Sequence, residues 1–176
     1  IRLENAYQMV SSGEMADYIT KNIRNIALIG HGNNGKTSLA ESMLFCTGAI
    51  DRMGKVADGT TVCDYDAEEI KRQISISAAV APIEYNGCKI NVLDTPGGFD
   101  FSGEVMEALR AADAAIVLVD AIDGPQIGTA RAWKHAKARK IPRFGLVSRM
   151  DKDRADFKAV ITQMRKNHGA NVVIPL

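Results

Sequence analysis

The sequence predicts an α/β fold: a mostly parallel, six-stranded sheet with one antiparallel strand and helices on both faces. Three observations lead there. An apolar run, Ile26-Ala27-Leu28-Ile29, feeds a glycine-rich octet and then a helix-forming run, Ser38 to Leu44. Further along, short apolar runs alternate with helical stretches, the pattern of a parallel sheet covered on both sides. Between two strand-like runs stands Asn86-Gly87, a two-residue hairpin signal that makes that pair antiparallel.

Taken in order, strands are expected at 26–29, 78–85, 89–93, 114–119, 143–147 and 171–174, with helices over 102–112, 128–139 and 155–167. Residues 1–21 read as an N-terminal extension and 22–176 as the folded domain, with no chemistry assigned to 1–17. The stretch 47–77 is long, polar and charged, with no clean period. A connection of that length inside a compact domain is functional or disordered.

Composition narrows the class. A chain of 176 residues, 46% hydrophobic, suits one domain with one sizeable core. Its net charge of +1 points to neither nucleic acid nor membrane, and no sequence-specific DNA partner is expected. Three cysteines, Cys46, Cys63 and Cys88, are odd in number and lack metal-ligand spacing, so reduced thiols in a cytoplasmic setting are expected. No apolar run reaches spanning length and no signal-like core opens the chain, so no membrane partner is expected. Oligomeric state is not readable.

The octet Gly30-His31-Gly32-Asn33-Asn34-Gly35-Lys36-Thr37 fits the phosphate-binding pattern G-x-x-x-x-G-K-[ST]. A strand, a glycine-rich loop and a helix start converge backbone N–H groups on one point, where the helix dipole adds positive character. The cofactor-binding set runs from Gly30 through Ser38. Lys36 reaches the terminal phosphates and the Thr37 hydroxyl binds Mg²⁺. The same residues satisfy the dinucleotide fingerprint G-x-G-x-x-G, with Asp51 at the spacing of a ribose-binding acid. The turn-prone residues 45–50 make a poor second strand, and that reading has no use for Lys36-Thr37.

A second motif, Asp94-Thr95-Pro96-Gly97, follows the strand at 89–93. An acid ending a buried strand beside a phosphate loop is placed to hold Mg²⁺, and Gly97 lets its N–H approach a γ-phosphate. D-x-P-G is also a good turn sequence. The phosphate loop upstream favours the functional reading.

With these motifs the stretch Ile70-Lys71-Arg72-Gln73-Ile74-Ser75-Ile76 and the continuation Gly98-Phe99-Asp100-Phe101 resemble a translational GTPase, of the elongation factor G-like family. The resemblance extends through Ala114 to Asp120 and Gly124-Pro125-Gln126 to Met150-Asp151-Lys152-Asp153. It covers about residues 22 to 175. It implies a Ras-like G domain that binds GTP or GDP with Mg²⁺ and has the ribosome as partner. It further implies a first switch at 47–77, a second at 94–109, and truncation before the fifth guanine motif and later domains. Lys36 and Gly97 take the catalytic roles, and Thr37, Ser75 and Asp94 the metal.

Three departures qualify the resemblance. Ser75 stands where the family has threonine and keeps the hydroxyl, while Gln73 replaces the preceding glycine. Ser148-Arg149-Met150-Asp151 replaces Asn-Lys-x-Asp. Asp151 keeps the two charge-assisted bonds that recognise guanine, so base binding weakens about tenfold or less while guanine preference persists. Arg149 is expected to stack on the base. Gly98 stands where the usual histidine positions water, and such a group contributes roughly 10²–10⁴-fold, so slow unaided hydrolysis is expected. His31 is read as structural. The alternatives are a GTP-binding module that does not hydrolyse and, third, a P-loop ATPase.

Other tempting residues take plain readings. Trp133 packs a helix face, while His135 and His168 are solvated. Lys134, Lys137, Arg139 and Lys140 form a basic helix end that suits the dipole. Glu68 and Glu69 carry surface charge.

Overall fold

The computed structural model describes residues 18–175. Residues 1–17 of the expected extension lie outside them. The elements are β1 (Ile23–Gly30), α1 (Lys36–Cys46), α2 (Ala67–Arg72), β2 (Ala79–Tyr85), β3 (Cys88–Asp94), α3 (Ser102–Ala111), β4 (Ala114–Asp120), α4 (Ile127–Ala138), β5 (Arg143–Ser148) and α5 (Phe157–His168). The strands lie in the order β2-β3-β1-β4-β5. β1 runs parallel to both β3 and β4, β4 runs parallel to β5, and only β2 against β3 is antiparallel. Asn86 and Gly87, both at positive φ, make the hairpin between them.

The strand period of two divides the core. Ala27, Ile29, Val117 and Val119 join Leu109, Ala132, Trp133, Val160 and Met164 beneath α3, α4 and α5. Leu28, Leu118 and Val92 join Ala40 and Leu44 of α1 on the other face. Helices therefore cover both faces, as predicted. Because β1 is central and its neighbours β3 and β4 run the same way, three strand ends open at one rim, the place where such sheets bind ligands.

The sheet has five strands, a correction to the six expected. Residues 171–174 form a turn and extended chain. α5 ends at Gly169 (φ 100°), Val172 N–H donates back to its carbonyl at 3.2 Å, and Arg165 Nε donates to the Val173 carbonyl at 3.1 Å. Pro175 follows and has no N–H for a ladder. α5 begins two residues later than expected, because Asp156 caps it by accepting from Ala159 N–H at 2.9 Å.

The long segment 47–77 is built chain with few regular elements. α2 within it carries a capping box between Asp66 and Glu69. Three carboxylates hold the rest through main-chain N–H groups. Glu41 of α1, 1% exposed, accepts from Gly54 and Val62. Glu69, 2% exposed, accepts from Asp66, Ile76 and Ser77. Glu104 of α3 accepts from Ala78 at 2.7 Å. Glu69 is thus a buried clamp, which corrects its reading as surface charge. Glu68 does sit at the surface, paired with Arg72.

Candidate functional site

The loop after β1 is shaped by two left-handed residues, Asn33 at φ 62° and Gly35 at φ 85°. Gly35 occupies the N-cap of α1 and no side chain caps that helix. The first-turn N–H groups at Lys36, Thr37 and Ser38 are therefore open to an anion. Lys36, 6% exposed, folds Nζ back onto the His31 carbonyl at 2.9 Å. Burial lowers its pKa, while Asp94 and Asp64 pull the other way. Asn34 Nδ2 ties the loop to β4 through the Leu118 carbonyl at 3.2 Å. The His31 ring packs so closely on Gly128 that a methyl there would lie 2.4 Å from Nδ1.

The turn after β3 meets this loop backbone to backbone. A Cβ on Gly97 would lie 2.5 Å from both Cα and N of Gly32, so only glycine permits the approach. Thr95 Oγ1 donates to the Leu28 carbonyl at 2.6 Å and fixes the turn against β1. Between the loops opens a cleft of about 520 Å³, lined by Gly32, Gly35, Lys36, Thr37, Gly97 and Gly98 among others. Gly30 and Pro96 line a smaller hollow behind the loop, about 30 Å³.

Oxygen groups gather at one wall of the cleft. Thr37 Oγ1 lies 3.1 Å from Ser75 Oγ, which donates to Asp64 Oδ1 at 2.7 Å. Asp94 is 1% exposed, and neither of its carboxylate oxygens has a hydrogen-bond partner. Asp64 Oδ2 is likewise buried and unpartnered. Burial pushes Asp94 up to about 7, although the nearby Thr37 hydroxyl and Lys36 charge pull it down. Two hydroxyls and two under-satisfied carboxylates form a hard-oxygen donor set, which suits a small divalent cation such as Mg²⁺.

The opposite wall comes from the end of β5. Ser148, Arg149 and Asp151 line the cleft, while Met150 is half exposed beside it. Ser148 Oγ turns back to the Val119 carbonyl at 3.4 Å. Arg149 takes φ 58° and places Nη2 2.6 Å from the Asn33 carbonyl and Nη1 2.8 Å from Asp120 Oδ2. Its guanidinium is held by these two anchors, which differs from the free stacking plane expected. Asp151 is solvent-exposed and pairs with Lys152 at 3.1 Å, and that contact holds its carboxyl below the usual range.

The elongation factor Tu GTP binding domain family matches residues 21–173. The chain belongs to that family. It is 38% identical over 154 residues to an elongation factor G-like protein of Mycobacterium tuberculosis, covering 88% of this chain and 21% of that protein. It is 40% identical to the mitochondrial ribosome-releasing factor 2 of Meyerozyma guilliermondii, over 87% of this chain and 18% of the relative. Among solved structures, a protein of Thermus thermophilus superposes with a TM-score of 0.81 at 43% identity, covering 84% of this chain and 22% of the other. The chain thus spans about a fifth of the length of the curated relatives it matches.

Several residues of this domain escape a motif reading. Asp64 has no local signal; only folding brings it to Ser75. Asp120 did have one, since it ends a buried strand as Asp94 does. Its Oδ1 accepts from Ile122 N–H at 2.8 Å and Asp123 N–H at 3.3 Å. The Asp66-x-x-Glu69 spacing is a legible capping box. His168, expected in solvent, stacks on Trp133 at 4.2 Å with its Nε2 buried. The plain reading of Trp133 as a packed face agrees with its 7% exposure.

Proposed function

We infer that this domain binds GTP and GDP with Mg²⁺ and works as the switch of an elongation factor G-like translational GTPase. The observation that carries the reading is Asp94, buried beside an amide-rich loop with both carboxylate oxygens unpartnered. In this reading the loop from Gly30 to Ser38 holds the phosphates, with Lys36 released from the His31 carbonyl onto the terminal oxygens. Thr37, Ser75 and Asp94 hold the cation, Asp64 orients Ser75, and Asp151 recognises the guanine edge. Bound Mg²⁺ neutralises charge on the phosphates. Gly97 presents its N–H to the γ-phosphate, and that contact holds the turn after β3 while Ser75 holds the 47–77 segment.

Hydrolysis is slow unaided and stimulated by the ribosome. Gly98 offers no side chain to orient water, and the His31 ring is packed on Gly128. The names of the relatives, an elongation factor G-like protein and a ribosome-releasing factor, support the ribosomal partner. A cytoplasmic setting belongs to the same proposal, supported by three free cysteines. Gly98 equally favours a second reading, a GTP-binding regulatory module that does not hydrolyse. Phosphate release by the intact protein, with and without ribosomes, separates them. Stimulation of at least about tenfold supports the GTPase, whereas no turnover with saturating ribosomes leaves only the regulatory module.

A further inference from the structure

We propose that Arg131 of α4 is a positioning residue for the turn after β3, and that its hold on Phe99 favours GTP over GDP. The turn has freedom to lose. Gly97 and Gly98 stand in succession, and without side chains they restrict the backbone little. Upstream, Thr95 Oγ1 pins the chain to the Leu28 carbonyl at 2.6 Å. Downstream comes only a single 3-10 turn, Phe99–Phe101, with no side-chain cap. Phe99 is 44% exposed, so core burial holds its ring only in part.

A stack completes the hold. The Arg131 guanidinium carbon lies 4.8 Å from the Phe99 ring centroid, within cation–π range. The His31 ring of the phosphate loop lies 6.1 Å from the same centroid, tilted by 56°. Gly128, three residues before Arg131 on α4, is the position against which His31 packs. One face of α4 therefore touches both the phosphate loop and the turn that carries Gly97. Arg131 is exposed and, among the described residues, forms no salt bridge, so no carboxylate draws its guanidinium off the ring. Gly97 and Gly98 line both the cleft and the hollow that Arg131 borders, so a shift of Phe99 carries to the cleft wall. Arg131 acts through the γ-phosphate contact inferred above for the Gly97 N–H, and rests on that reading. Only GTP carries that phosphate. Loosening the turn therefore weakens GTP and spares GDP, whereas a general loss of folding weakens both.

The test is equilibrium titration of the intact protein, in Mg²⁺, with GDP and with the non-hydrolysable imido analogue of GTP. Arg131→Ala should lower affinity for the analogue by about two- to fivefold, the factor an exposed cation–π contact supplies, with GDP affinity unchanged. Phe99→Leu keeps an apolar side chain but removes the π face, and should do the same. Adding it to Arg131→Ala should cost nothing more, because the two residues share one contact. Arg131→Lys keeps a cation over the ring and should restore the native ratio. Arg139→Ala, at the far end of the same helix, should leave the ratio alone. Equal losses for both nucleotides, or an unchanged ratio in Arg131→Ala, would overturn the proposal while leaving the GTP reading in place. A native protein that bound neither nucleotide would overturn both.

Discussion

Arg149 and Asp120 form an ion pair at 2.8 Å in which the carboxylate is fully buried, and the same guanidinium reaches the Asn33 carbonyl at 2.6 Å. One side chain thereby fastens the loop after β5 to the phosphate loop and to the end of β4. Ser148 is too short to help, since its hydroxyl points back to Val119. Charge-assisted bonds of this kind contribute about 1.5–3 kcal/mol each. Arg149→Lys should therefore weaken GDP and GTP binding together, by about tenfold, because a single ammonium cannot replace the fork. Arg149→Ala should cost more, since it strands the Asp120 charge. Equilibrium titration with a fluorescent guanine nucleotide reads both, and an Arg149→Ala protein of unchanged affinity refutes the tether.

Glu69 is the hinge pin of the 47–77 segment. Its carboxylate accepts three main-chain N–H groups, two of them directly after Ser75. Glu69→Ala removes the acceptor of three partly buried main-chain hydrogen bonds, each contributing about 0.5–1.5 kcal/mol. Hydrogen exchange at the Ile76 and Ser77 amides should accelerate at least about tenfold, while β1 exchanges as before. Protection unchanged at both amides would show that something else orders the segment.

Position 98 can be tested by addition. Its backbone, φ −73° and ψ 146°, accepts any L residue, and a Cβ would meet only the Phe101 ring, at 3.1 Å. Gly98→His should fit with a small ring shift. The ribosome-stimulated rate should rise by roughly 10²-fold if a water-orienting group is what the chain lacks. A rate unmoved by the substitution places the deficit elsewhere.

His168 couples stability to pH. Burial lowers its pKa, and the neighbouring Arg143 and Lys137 charges add to the effect. The unfolded imidazole, near 6.5, then takes up a proton more readily than the folded one. Stability is therefore full above about pH 6.5 and falls as pH drops below it toward the lowered folded value. His168→Phe keeps a ring on Trp133 and removes the proton. Urea midpoints of the two proteins should converge or cross as pH falls from about 8 to 5.5, with the native protein losing more. Parallel curves would contradict the shift.

Much of this was legible in the chain, for a physical reason. The loop at Gly30 to Thr37 and the turn at Asp94 to Gly97 are local: glycine conformations and strand-end placement are written within a few residues. The alternation of apolar runs gave the mostly parallel sheet with helices on both faces, though not the order of its strands. What stayed hidden depends on distance in sequence. Asp64 meets Ser75, Glu41 meets Gly54 and Val62, and Asp120 meets Arg149 only after folding. Residues 171–174 misled because a short apolar run reads as a strand even when a Gly169 turn and Arg165 hold it off the sheet. Gln73 shows the limit from the other side. It sits in a left-handed conformation that glycine would take freely, and its Nε2 donates to the Ala57 carbonyl at 3.0 Å, a tie that glycine lacks.

Above all, the proposed function requires that the cleft bind guanine nucleotide through its phosphates and a cation. Calorimetric titration of the intact protein with GDP, GTP and ATP, with Mg²⁺ and with chelator, decides whether it does. GDP and GTP should bind, at least about tenfold more weakly on Asp94→Asn in Mg²⁺, with no competition from ATP at matched concentration. ATP binding as tightly as GTP, or no nucleotide binding at all, would contradict this reading of the cleft.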